Sequence, residues 1–129
     1  MRMMSAHSTD GRWKTLCTNG AHDVIADTAP PKGEGLGVRP HELLEAALAA
    51  CLNMTVRMEA DRLGIRLEGV RTIVELERTA EQSTFVWHVE LDGSLRGEER
   101  DALLAAAAKC PVSQTLRRSI EVCPREAAL

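Results

Sequence analysis

The sequence predicts an α+β fold in which β-sheets cover a long helix and a second helix. Three observations carry that expectation. From Pro40 to about Leu63 the only interruptions of an apolar, alanine-rich run are polar residues on one side, as in a helix. A second amphipathic run follows over Gly97–Lys109. Around them lie short segments that alternate apolar and polar residues at the strand period, separated by turn residues. The length of 129 residues supports a single domain over 1–129, with a core that is adequate but not generous.

Taken in order, Met1–Gly11 is polar and expected to fray. Arg12–Thr18 and His22–Asp27 alternate imperfectly, and Asn19-Gly20 between them signals a hairpin turn. Cys17 on the first strand reads as a packed small side chain, and His22 and Asp23 as strand-edge polar residues. Thr28–Arg39 contains Pro30-Pro31, Gly33, Gly35 and Gly37 and reads as a loop. It lacks the Gly-x-Gly-x-x-Gly pattern after a buried strand that a phosphate cradle would need.

Pro40 suits the first helical position, because its φ is preset and its missing N–H would have no partner there. Glu42 then falls in the first turn, where the positive end of the helix dipole favours an acid. Gly64 ends the helix after roughly six turns and about 35 Å. At about 100° per residue Leu44, Ala47, Leu48, Cys51, Met54, Thr55 and Met58 share one stripe, so Cys51 is expected to face the interior. On this helix alone a buried cysteine reads as a small hydrophobe.

Val70–Thr79 and Thr84–Leu91 alternate strictly enough to read as two strands joined by a turn at Ala80–Ser83. Val70, Thr72, Val74 and Leu76 share one face of the first, and Phe85, Trp87, Val89 and Leu91 one face of the second. His88 points to the other side, towards solvent. In the second helix Leu103, Leu104, Ala107 and Cys110 lie along the inner side. Pro111 suits the first position of a further short helical piece over Ser113–Arg118 and leaves Cys110 as its N-cap, where a thiol is expected to be acidified. Ser119–Cys123 reads as a last strand closed by Pro124, with Cys123 taking no redox part. The expected order is β-β-α-β-β-α-β.

Composition excludes several classes of function. Sixteen basic against nineteen acidic residues give a net charge of −3 and no basic field for nucleic acid. No run of eighteen apolar residues suggests a membrane span, and Met1–Asp10 lacks the apolar stretch of a signal peptide, so the expected location is cytoplasmic. Four cysteines in a reducing compartment argue against a disulfide framework, and none forms Cys-x-x-Cys or zinc-finger spacing with histidine, so no metal site is expected. Trp13, Trp87 and Phe85 are the only aromatic residues, which leaves burial to aliphatic side chains.

Two stretches carry the chemistry. Pro-x-Glu-Leu-Leu-x-Ala-Ala-Leu-Ala-Ala-Cys at 40–51 and Ala-Lys-Cys-Pro-Val-Ser at 108–113, in this order, resemble the OsmC/Ohr family of thiol-dependent peroxidases. The resemblance extends from about Gly20 to Val122. It implies that Cys51 is the peroxidatic thiol, attacking an organic hydroperoxide and becoming a sulfenic acid. Cys110 is then the resolving thiol that condenses with it to a disulfide, which an external dithiol or lipoyl-type reductant reopens. That sequence agrees with thiolate nucleophilicity and with the reversible part of the cysteine oxidation ladder. No bound cofactor is implied. An intertwined homodimer is, with sites at the subunit interface, and this suits a small, aromatic-poor core.

Position alone does not explain why Cys51 rather than Cys110 should be the nucleophile, since Cys51 lies some three turns into its helix, where the dipole has faded. To ionise in an apolar stripe it needs a cation from another segment. The resemblance supplies an arginine from the N-terminal hairpin, held by a glutamate at the start of the cysteine helix. Arg12 would be that hairpin arginine, with Arg39 beside Pro40 also possible, and Glu42 the glutamate, although His41 stands where the best-studied members carry it. Leu44, Leu48, Met54 and Met58 can supply an apolar wall for the substrate. The alternative is a protein of the same fold that binds a small hydrophobic ligand or acts in redox without efficient peroxidase turnover.

Overall fold

The long helix forms where its punctuation places it. In a computed structural model that describes residues 3–125, α1 runs over Pro40–Leu63. Gly64 takes a φ of 69°, open to glycine and strained for other residues. Gly64 N–H donates to the Asp61 carbonyl at 3.2 Å and Ile65 N–H to the Ala60 carbonyl at 2.8 Å. These two bonds satisfy carbonyls that a helix end would otherwise leave open. At the other end Glu42 Oε1 accepts the Arg39 N–H at 2.7 Å, closing the first turn. The described residues divide into two compact units at Ala46 and Ala47.

In the first unit β1 (Ser5–Ser8), β2 (Thr15–Thr18) and β3 (Asp23–Ala26) form an antiparallel sheet in that order. Ser5 pairs with Thr18 and Thr15 with Ala26. The expected turn forms: Asn19 Oδ1 accepts the N–H groups of Ala21 and His22 at 2.9 and 2.8 Å, and Gly20 takes a φ of 93°. β1 is a correction, because it falls in the segment expected to fray; residues 1–2 of that segment lie outside the described residues. All four of its residues are exposed, so the ladder to β2 holds it and no apolar alternation announces it. Asp27, 3 % exposed, anchors the loop that follows. Its carboxylate accepts the Thr28 N–H at 2.7 Å and the Leu36 N–H at 3.0 Å. Gly37 lies so close to β3 that a Cβ there would meet the Ile25 carbonyl oxygen at 2.3 Å.

The second unit contains α1 from Ala47 on, a two-stranded antiparallel sheet of β4 (Gly69–Arg78) and β5 (Ser83–Asp92), α2 (Gly97–Ala107) and α3 (Pro111–Arg117). Alternation works as expected in both strands: Val70, Thr72, Val74 and Leu76 are half-buried, as are Phe85 and Trp87, whereas Arg71, Glu75 and His88 are exposed. β4 is pinned to the helix by Thr72 Oγ1 donating to the Ala49 carbonyl at 2.7 Å and Asn53 Nδ2 donating to the Val70 carbonyl at 3.1 Å. The core joins Leu48, Leu52, Val56 and Ala60 of α1 to Val89 and Leu91 of β5, Leu103 and Ala107 of α2, and Cys110.

Two expectations fail in this unit. The buried stripe of α1 is Leu48, Leu52, Val56 and Ala60, about 120° round from the expected one. Met54 and Met58, and Leu44 in the first unit, are 49 %, 69 % and 46 % exposed, and Cys51, in the middle of the expected stripe, is half-buried. The helix is apolar on most of its circumference, so periodicity alone did not choose between faces. The last strand does not form: Ser119–Cys123 is irregular, with Ile120 and Val122 exposed. Two apolar residues bury too little to offset the entropy of ordering the segment.

Candidate active site

Pro111 organises the site. As the first residue of α3 it has no N–H to lose, and the N–H groups of the next two residues have no carbonyl within the helix to receive them. Both go to sulfur. Val112 N–H donates to Cys51 Sγ at 3.5 Å, and Ser113 N–H donates to Cys110 Sγ at 3.4 Å. Cys110 is the N-cap, as its place before Pro111 predicts, with extended backbone at φ −61° and ψ 149°. Its carbonyl accepts the Gln114 N–H at 3.1 Å. Two cysteines separated by nearly sixty residues therefore share one helix start, each free and each taking one amide hydrogen.

Their environments differ. Cys110 is fully buried, whereas Cys51 is half-buried. Burial pushes the Cys110 thiol above its ordinary value; the amide hydrogen of Ser113 works in the opposite sense, and contact with the Cys51 thiol adds to the rise. The expectation of an acidified Cys110 is therefore corrected: at the end of a short helix the donors do not outweigh removal from water.

In the first unit Arg39 Nε pairs with Glu42 Oε1 at 3.2 Å. The Arg39 N–H, and then its guanidinium, hold the Glu42 carboxyl below its ordinary value. Arg12 places its guanidinium 5.9 Å from the centre of the Trp13 ring and donates its N–H to Glu34 Oε1 at 3.2 Å. His41 is exposed, Cys17 half-buried on β2, and Cys123 exposed. Of the four residues expected to wall the substrate, Leu48 is buried and Leu44, Met54 and Met58 lie open. Sequence reasoning missed the Val112 amide, whose signal was a proline set one residue after a cysteine. Among the described residues no group of three or more His, Cys, Asp or Glu side chains could hold a metal ion, and no helix is long and apolar enough to cross a membrane.

A long helix and a short one, meeting over a two-stranded sheet with a thiol from each motif, define an α+β protein with a paired-cysteine site. More particularly, the chain belongs to the OsmC-like protein family, whose model matches residues 33–124. Its fold is similar to that of the organic hydroperoxide resistance protein OsmC of Legionella pneumophila, at 28 % identity and a TM-score of 0.67, covering 91 % of this chain and 89 % of that one. The OsmC-like protein of Mycoplasma pneumoniae, at 17 % identity, gives a TM-score of 0.69 over 91 % and 87 % of the two chains. The organic hydroperoxide resistance protein OhrB of Bacillus subtilis, at 22 % identity, gives 0.59 over 91 % and 90 %. No curated protein matches the sequence.

Proposed function

We propose that this protein is a cytoplasmic, homodimeric, thiol-dependent peroxidase that reduces organic hydroperoxides to alcohols. The observation that carries the reading is the meeting of Cys51 and Cys110 at the start of α3, with an amide hydrogen on each sulfur. The Cys51 thiolate attacks the distal oxygen of the hydroperoxide; the O–O bond breaks, the alkoxide takes a proton and leaves as the alcohol, and Cys51 becomes a sulfenic acid. Cys110 then attacks that sulfur, a disulfide forms, and water departs. An external dithiol of lipoyl type reduces the disulfide, returning both thiols. A charged sulfur accepts an N–H more strongly than a neutral one, and the Val112 N–H is the donor on the attacking sulfur. Burial suits Cys110 to wait as a thiol, because its protonated form survives until the sulfenic acid appears.

Arg12 or Arg39 supplies the cation, and Glu42 orients it; the Arg39–Glu42 pair favours Arg39 for that role. The exposed apolar residues Leu44, Met54 and Met58, with Leu48, form the substrate wall once a second copy covers them. The reading is tested by following loss of cumene hydroperoxide in the presence of dihydrolipoamide or dithiothreitol. The expected outcome is turnover by the unaltered protein and none by Cys51→Ser. An inactive protein, or a fully active Cys51→Ser, overturns it.

A further inference from the structure

The second unit also holds a cavity of about 210 Å³ between the start of β5 and α3. Leu48, Phe85, Trp87 and Leu116 give it an apolar lining, and α3 adds Ser113 and, four residues on, Arg117. Residues so spaced stand on one side of a helix, which puts Ser113 and Arg117 on the same side of α3. Ser113 is only 6 % exposed, yet its hydroxyl makes no hydrogen bond among the described residues. No enclosed side-chain polar atom among those residues lacks a partner, so this hydroxyl is not sealed off, and its residue lines the cavity. Arg117 forms no ion pair among the described residues, and no acidic side chain is in the lining. The cavity thus combines an apolar floor with one positive charge, the Ser113 hydroxyl, and the polar residues Gln82, Ser83 and Thr84 around the start of β5.

We propose that this cavity is a subsite for a monocarboxylate with a small apolar body, and that Arg117 and Ser113 select for it. A carboxylate can take a charge-assisted bond from the guanidinium and a second from the hydroxyl, while an aryl or short acyl body lies on Phe85, Trp87, Leu48 and Leu116. Leu48 is one turn from Cys51 on α1, and Ser113 gives its N–H to Cys110 Sγ. Neither thiol is in the cavity's lining, so carboxylate binding there does not depend on the peroxidase reading.

The probe is benzoate, with benzamide as its uncharged counterpart. In Trp13→Phe the fluorescence reports Trp87 alone, because the chain has two tryptophans. Benzoate is expected to change that signal saturably, and benzamide to bind at least ~10-fold more weakly, as loss of one charge-assisted bond requires. Arg117→Gln lowers benzoate affinity by ~10-fold or more and leaves benzamide unchanged, Arg117→Lys restores part of the loss, and Ser113→Ala costs a smaller factor of ~3 to ~10. Cys51→Ser keeps benzoate affinity, which separates this site from the fate of the peroxidase reading. No saturable response, equal binding of benzoate and benzamide, or an Arg117→Gln chain that binds benzoate undiminished overturns the proposal.

Discussion

The Val112 amide can be deleted without touching a side chain. Cys110 allows a synthetic 110–129 segment to be joined to the rest of the chain, and the Pro111–Val112 amide can then be made an ester by placing the hydroxy acid of valine at 112. The ester has no N–H, so Cys51 Sγ loses the donor it has at 3.5 Å, while the valine side chain and the turn remain. A hydrogen bond to a charged acceptor contributes about 1.5–3 kcal/mol, which corresponds to a ~10- to ~150-fold loss in kcat/KM for hydroperoxide. Alkylation of Cys51 by iodoacetamide at pH 7 should slow in the same direction and needs no reductant. An ester at Thr115 serves as the control, since it removes a helix N–H, leaves Val112 intact, and should change the rate by no more than ~3-fold. If the Val112 ester reacts as fast as the all-amide chain, the short helix does not assist the nucleophile.

Three further outcomes follow from the same geometry. After one equivalent of hydroperoxide, Cys110→Ser should retain a sulfenic acid on Cys51 that a dimedone reagent traps, whereas the unaltered protein yields a Cys51–Cys110 disulfide by mass analysis; equal labelling of both removes Cys110 from the resolving role. Leu52→Ala, at a fully buried position in the core of the second unit, should lower stability by about 2–5 kcal/mol in urea unfolding, and a loss under ~1 kcal/mol would contradict the packing described. The Leu36 N–H above all holds the Asp27 carboxyl below its ordinary value, so its contribution to stability is present above about pH 4 and is lost as pH falls through the folded-state value. Asp27→Asn should therefore flatten the acid limb of the stability curve below about pH 4 and leave its slope above pH 5 unchanged; an acid limb as steep as before would show that the loop is held otherwise.

Local chemistry made much of the fold legible. Pro40 and Gly64 bracket α1 because each acts within one turn of itself, and Asn19-Gly20 fixes its hairpin for the same reason. The strand pair was readable because Val70 to Leu76 and Phe85 to Leu91 alternate against a single buried face. What periodicity could not supply was a choice between competing surfaces. α1 offers one stripe through Met54 and Met58 and another through Leu52 and Val56, and only packing against β5 and α2 selects the second. β1 was invisible since Ser5–Ser8 is held by backbone pairing. The two thiols were legible as residues, and Cys110 as a cap, but the amide given to Cys51 belongs to another segment and reaches it only after folding.

The unequal covering of the two sulfurs fixes the direction in which a disulfide between them would be opened. Cys110 is wholly enclosed, so an incoming dithiol meets Cys51 first and forms its mixed disulfide there, expelling Cys110 as the leaving group. A thiol weakened as an acid by its enclosure is a poorer leaving group, so on the peroxidase reading proposed above that enclosure slows the reopening of the disulfide.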